Sequence, residues 1–164
     1  MSNEPHPIRL FTVEEANAAL PLVRAITNDL VRLSRDVIER EERLEQLRSN
    51  RGSSPERNDP YREELAQIEQ DLENDKQSLH EYVHELRELG VEPKNCLEGI
   101  VDFPATLDGR LVSLCWQLGE PELLYWHELD GGFRGRQPLT ANSTALGGSA
   151  TGAFSEDDAP ESPV

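Results

Sequence analysis

Apolar positions recur every seventh residue through the first half of the chain. Val23, Leu30, Val37 and Leu44 form one row, and Ile26, Leu33 and Leu47 follow three places behind, with Arg40 interrupting. A second pair of rows comprises Leu65, Leu72, Leu79 and Leu86 with Ile68, Tyr82 and Leu89, interrupted by Asp75. Each pair is a heptad seam, the pattern of a helix that buries one narrow stripe. Residues 49–60, SNRGSSPERNDP, separate the seams and read as a loop. Two seams of equal period joined by a short loop fold back on each other. The layers then match Leu44 with Ile68, Leu33 with Leu79, Leu30 with Tyr82, Ile26 with Leu86 and Val23 with Leu89. Arg40 and Asp75 fall in adjacent layers, so we expect them to pair.

The ends of the helical region carry their own signals. Thr12 with Glu15 three residues later makes a capping box. Glu14 and Glu15 suit the positive end of a helix dipole. Pro21 predicts a short helix over residues 13–20 with a kink or restart, because its ring crowds the carbonyl of Asn17. Gly90 reads as the C′ residue of the second helix, and Pro93 prevents its continuation.

From residue 97 the period falls to two. Ile100 to Thr106 and Leu111 to Leu118 alternate around Asp108-Gly109, a two-residue hairpin turn. Pairing across that turn puts Val101, Phe103 and Ala105 on one face with Val112, Leu114 and Trp116. Gly119-Glu120-Pro121 makes a second turn, and Leu123 to Glu128 a third strand whose register stays open. A two-residue loop sends Tyr125 and His127 to the apolar face. A three-residue loop sends Leu124 and Trp126 there and moves Tyr125 and His127 beside Cys115 and Asp102.

The expected fold is therefore α+β. A long antiparallel helical hairpin of coiled-coil type (12–90) is followed by a small three-stranded antiparallel β-meander (97–139). Residues 1–10 read as a flexible lead-in, 11–139 as a single domain, and 140–164 as a disordered acidic tail.

Charge narrows the function classes. Of 164 residues, 32 are acidic and 16 basic, a net charge of -16. That field repels a phosphate backbone, so no nucleic-acid partner is expected. Lysine occurs only as Lys76 and Lys94, leaving little for anionic lipid, and no apolar run reaches the roughly 20 residues of a spanning helix. With no signal-peptide pattern at the N-terminus, the expected location is the cytoplasm and no membrane partner is expected. Cys96 and Cys115 are too few for a disulfide framework and read as free thiols.

Three strings carry candidate chemistry. His80-Glu81-Tyr82-Val83-His84 is H-E-x-x-H on a predicted helix. Its two histidines share a face and can ligate zinc or another divalent transition metal, with Glu81 as the catalytic base of a hydrolase. No third-ligand signature follows, and the seam turns His80 and His84 away from the partner helix. His127 and Glu128, with Asp130, are the candidates to complete the site if the third strand ends near that face, with Cys115 and Asp102 as neighbours. The plain alternative is two exposed histidines on an acidic helix. The glycine-rich stretch 131–137 offers Arg134 and Arg136 as forks for a small anion; the alternative is that they pair with the domain's own acids. Cys115 with His127 can also be drawn as a thiol–base pair, against which a strand-interior cysteine is usually an inert small hydrophobe.

The strings LFTVEEANAALP (10–21), GIVDFPATLDGR, LCWQLGEPE and YWHELDGGFRGRQPL (within 99–139) resemble an uncharacterised bacterial family, domain of unknown function 2203. The resemblance spans roughly residues 9–139. It implies a compact, self-standing domain and brings no activity with it. The leading reading is an interaction or scaffold protein, with the hairpin as a surface for an unidentified protein partner or for a homo-oligomer. Metal-dependent hydrolysis or metal binding is the first alternative, and small-anion binding the second.

Overall fold

The computed structural model describes residues 8–50 and 60–140. The expected loop over 49–60, the lead-in and the tail fall largely outside these residues. Helix α1 spans Val13–Ser49 and helix α2 spans Pro60–Glu88. Five strands follow: β1 (Glu92–Asn95), β2 (Ile100–Leu107), β3 (Arg110–Gln117), β4 (Tyr125–Glu128) and β5 (Gln137–Pro138). They form one antiparallel sheet in sequence order. The architecture is α+β, as the change of period indicates.

Thr12 caps α1, its hydroxyl accepting the Glu15 amide at 3.0 Å. The helix then runs unbroken through Pro21, which corrects the expected break there. Proline inside a helix costs about 3 kcal/mol. On either side of it, Ala16, Leu20, Val23 and Ile26 are all buried in the main core. Each large apolar side chain so buried contributes roughly 1.5–3 kcal/mol, which outweighs one lost hydrogen bond.

The hairpin has two apolar clusters. Val37, Leu44, Leu65 and Leu72 pack together in its outer half, with Leu47 and Ile68 against them. Beside this cluster Arg40 pairs with Asp75, as the seam register predicts. The inner half of α1, from Val13 to Leu30, joins Leu86 and one face of the sheet in the main core. No described helix is long and apolar enough to cross a membrane.

Helix α2 ends on Gly90, whose φ is 88°. The Val91 amide donates to the Leu86 carbonyl and the Gly90 amide to Arg87, each at 2.9 Å, which closes a Schellman-type cap. The chain then enters β1, an edge strand that the EPKN sequence hides because it lacks apolar alternation. Pro93 is tolerated there because an edge strand needs fewer ladder donors. Strands β1 and β5 enlarge the expected three-stranded meander to five.

The link from β1 to β2 turns on Asn95 and Gly99. Asn95 Oδ1 accepts the amides of Leu97 and Glu98, each at 3.0 Å. Gly99 has φ of 70°, and a Cβ there would stand 2.7 Å from Leu118 Cβ and 3.1 Å from Val31 Cγ2. Left-handed backbone costs a side chain about 1–2 kcal/mol before any clash. Gly99→Ala is therefore expected to lower stability by about 2–3 kcal/mol in urea unfolding. A loss well under 1 kcal/mol would show that the turn relaxes freely.

Candidate functional site

The β2–β3 hairpin turns on Asp108 (φ 51°) and Gly109 (φ 76°), the two positive angles that a type I′ turn needs. Its register sets Asp102 directly opposite Cys115. Strand β4 joins the other side of β3 with Tyr125 opposite Cys115, Trp126 opposite Leu114 and His127 opposite Ser113. The connection before β4 is pinned by three bonds. Trp116 Nε1 donates to the Glu120 carbonyl at 3.0 Å, and the Gln117 amide to Glu120 Oε1 at 2.6 Å. The Leu123 amide reaches Asn17 Oδ1 of α1 at 2.8 Å. This fixes the register in which Trp126 enters the main core and His127 takes the opposite face.

On that opposite face three unlike side chains converge. The ligating atoms of Asp102, Cys115 and His127 all lie within 4.8 Å of one another, and all three residues are buried. His127 Nε2 stands 3.0 Å from Asp102 Oδ2, with the side chains only 3% and 4% exposed. Its Nδ1 lies 2.6 Å from the Glu128 carbonyl oxygen. A carbonyl only accepts, so Nδ1 carries a hydrogen and donates it. The Nε2 lone pair of that tautomer would meet a carboxylate lone pair unless a positive centre, a proton or a metal ion, lies between them. Asp102 Oδ1 is buried with no hydrogen-bond partner.

Burial, followed by the negative charge of Asp102, pushes the Cys115 thiol up to about 12; Arg136 pulls the other way. Such a thiol stays protonated at neutral pH and makes a poor nucleophile. The arrangement therefore does not serve thiolate catalysis by Cys115 with His127 as base.

The segment after β4 returns across this face. Arg136 lies over the Tyr125 ring at 4.0 Å and the Phe133 ring at 4.6 Å. It also donates to the Cys115 carbonyl at 3.2 Å and pairs with Glu120. Between this segment, β1 and the sheet lies a cleft of about 420 Å³, with Asp102 and His127 on its wall.

The residues singled out in the sequence are distributed as follows. His127 is at the centre of the convergence. Glu128 contributes its backbone carbonyl, while its carboxylate pairs with Arg110 at 2.7 Å. Asp130 and Arg134 line the cleft. Arg136 is engaged by Glu120 and two rings, a pairing with one of the domain's own acids. His80, Glu81 and His84 lie exposed on α2, with His84 2.9 Å from Glu88. Neither histidine joins His127 in the grouping described. In the sequence Asp102 and Cys115 figure as neighbours of a helical site, as neighbours of His127 in one of two registers, and, for Cys115, as one half of a thiol–base pair, but not as ligands in their own right. The signal that finds them is the Asp108-Gly109 turn itself, since counting back equally on both strands makes them partners.

A family model described as uncharacterized conserved protein (DUF2203) matches residues 9–139. No curated protein and no solved structure matches the chain.

Proposed function

The chain belongs to the uncharacterized conserved protein family DUF2203, and from that premise we propose that it binds a divalent transition metal, zinc foremost, at Asp102, Cys115 and His127. One observation carries this reading: nitrogen, sulfur and carboxylate donors converge on a buried point where one carboxylate oxygen has no partner. Zinc bonds nitrogen and oxygen at about 2.0 Å and sulfur at about 2.3 Å, so tetrahedral ligand atoms sit roughly 3.2–3.6 Å apart. The 3.0 Å between Nε2 and Oδ2 is close to that spacing. A hydrogen bond from Nδ1 to a backbone carbonyl is also the usual way a metal-binding histidine is oriented. Binding would draw the proton from the thiol, as a coordinated cation does.

Three protein ligands leave a fourth position, which water or a substrate takes in catalytic zinc sites. Here it would open on the cleft beside Asp102 and His127. That placement supports the metal-dependent hydrolase alternative, with its centre in the sheet rather than on α2. The scaffold reading draws on the hairpin seam, yet Val37, Leu44, Leu65 and Leu72 spend that seam on each other.

The test is metal content and cobalt titration of untagged protein purified without chelator. Near-stoichiometric metal and a thiolate-to-cobalt absorption band are expected. Cys115→Ala should lose the band, and His127→Ala should lose bound metal, whereas His80→Ala/His84→Ala should retain both. Metal that survives Cys115→Ala and His127→Ala together, or that leaves with His80 and His84, would overturn the assignment.

A further inference from the structure

The cleft beside Asp102 and His127 carries charges of both signs from four separate places. Lys94 comes from β1, Glu98 from the turn before β2, Asp130 from the turn after β4, and Arg134 from the 3₁₀ turn Phe133–Gly135. None of the four is in an ion pair among the described residues, although cations and anions line the same space. Elsewhere Arg40, Arg43, Arg48, Arg87 and Arg110 each meet a carboxylate of this chain. The cleft thus holds two cations and two anions that do not neutralise one another.

A purely anionic ligand would satisfy Lys94 and Arg134 but face Glu98 and Asp130 as like charges. A simple cation meets the converse. A molecule bearing both a carboxylate and an ammonium answers all four. The remaining wall mixes the polar Asn95, Asp102 and His127 with apolar surface. Leu129 and Phe133 are 58% and 38% exposed, two of the chain's large apolar side chains left in solvent, and both border this cleft with Ile100. Exposed apolar surface beside convergent polar groups is the ordinary make-up of a small-molecule site. The volume of about 420 Å³ lies in the usual range for such sites. The unpartnered Asp102 Oδ1 adds a buried acceptor on the same wall.

We infer that this cleft binds a small zwitterion with an apolar side chain, of the amino-acid or short-peptide class. Arg134 and Lys94 hold its carboxylate. Asp130 and Glu98 hold its ammonium. Leu129 and Phe133 cover its side chain. The inference shares the cleft with the metal reading and does not require the metal, so each can fail alone.

The experiment is calorimetric titration of the full chain, once stripped of metal and once loaded with zinc. The probes are L-leucine and leucylleucine, beside isocaproate, which lacks the ammonium, and isopentylamine, which lacks the carboxylate. A zwitterion is expected to bind at least about tenfold more tightly than either half-molecule, as charge-assisted hydrogen bonds allow. Arg134→Met should remove the advantage over the amine, and Asp130→Asn the advantage over the carboxylate, with thermal unfolding unchanged in both variants. Isocaproate binding as well as leucine would overturn the inference in favour of an anion site. Absence of binding by leucine and leucylleucine in both protein forms would also overturn it.

Discussion

His127→Ala in metal-free protein is expected to cost about 3–5 kcal/mol of stability at neutral pH, among the largest losses any single polar substitution here should give. The reason is what the substitution leaves behind. Asp102 is buried, its Oδ1 is already without a partner, and its Oδ2 meets His127 at 3.0 Å with the Cys115 thiol beside the carboxylate. Without the imidazole the carboxyl group must remain charged in an apolar surround or take up a proton. Asp102→Ala leaves the converse, an imidazole whose Nδ1 still donates to the Glu128 carbonyl and whose Nε2 has lost its carboxylate partner. The double variant Asp102→Ala/His127→Ala should lose less than the two single alanine losses summed, because neither polar group is left stranded by the loss of the other. Urea unfolding of the four proteins completes the cycle. Single losses below about 1 kcal/mol would mean that the two side chains do not depend on one another. Excess zinc should stabilise only the parent chain, since a ligand that binds the folded state alone raises its stability by mass action.

The parts of this fold that the sequence discloses are those governed by a local period or a specific turn residue. Heptads at Val23–Leu44 and Leu65–Leu86 disclose the hairpin, and the gaps in the two seams foretell the Arg40–Asp75 pair. Asp108-Gly109 discloses the β2–β3 register and, with it, Asp102 beside Cys115. What stays hidden depends on distant groups. Pro21 looks like a break until the burial of Ala16, Leu20 and Val23 on both sides is seen. The EPKN stretch does not look like a strand until β2 offers its edge.

The candidate site shows the same division. His127 draws attention as one of four histidines in the chain, but one residue of register decides whether it enters the core or meets Cys115. That choice is made by Glu120 and by Asn17, which lies more than a hundred positions upstream of the strand it positions. Arg136 looks like an anion fork because Glu120 and Tyr125 are not its neighbours in sequence. The H-E-x-x-H string states a spacing and says nothing of whether a third donor faces it.

Alkaline pH supplies a second large effect, through Cys115. Its thiol is pushed from 9.0 up to about 12, first by burial and then by Asp102. A group that ionises less readily when folded contributes stability that is fully present below its unfolded value. The contribution is lost as pH rises from about 9 towards 12. At about 1.4 kcal/mol per pH unit the loss over that interval is on the order of a few kcal/mol. Cys96, also raised by burial with Arg87 opposing, adds a change of the same sign. The useful quantity is a difference, which removes what the rest of the chain contributes. Stability of the parent chain minus that of Cys115→Ala should be flat below pH 9 and fall steadily above it. Parallel curves through pH 11 would mean that the thiol ionises as easily folded as unfolded. Zinc gives the comparison a second use. A coordinated sulfur is already a thiolate, so in zinc-loaded protein this thiol should no longer contribute the alkaline loss. Persistence of the slope in zinc would place the metal away from Cys115.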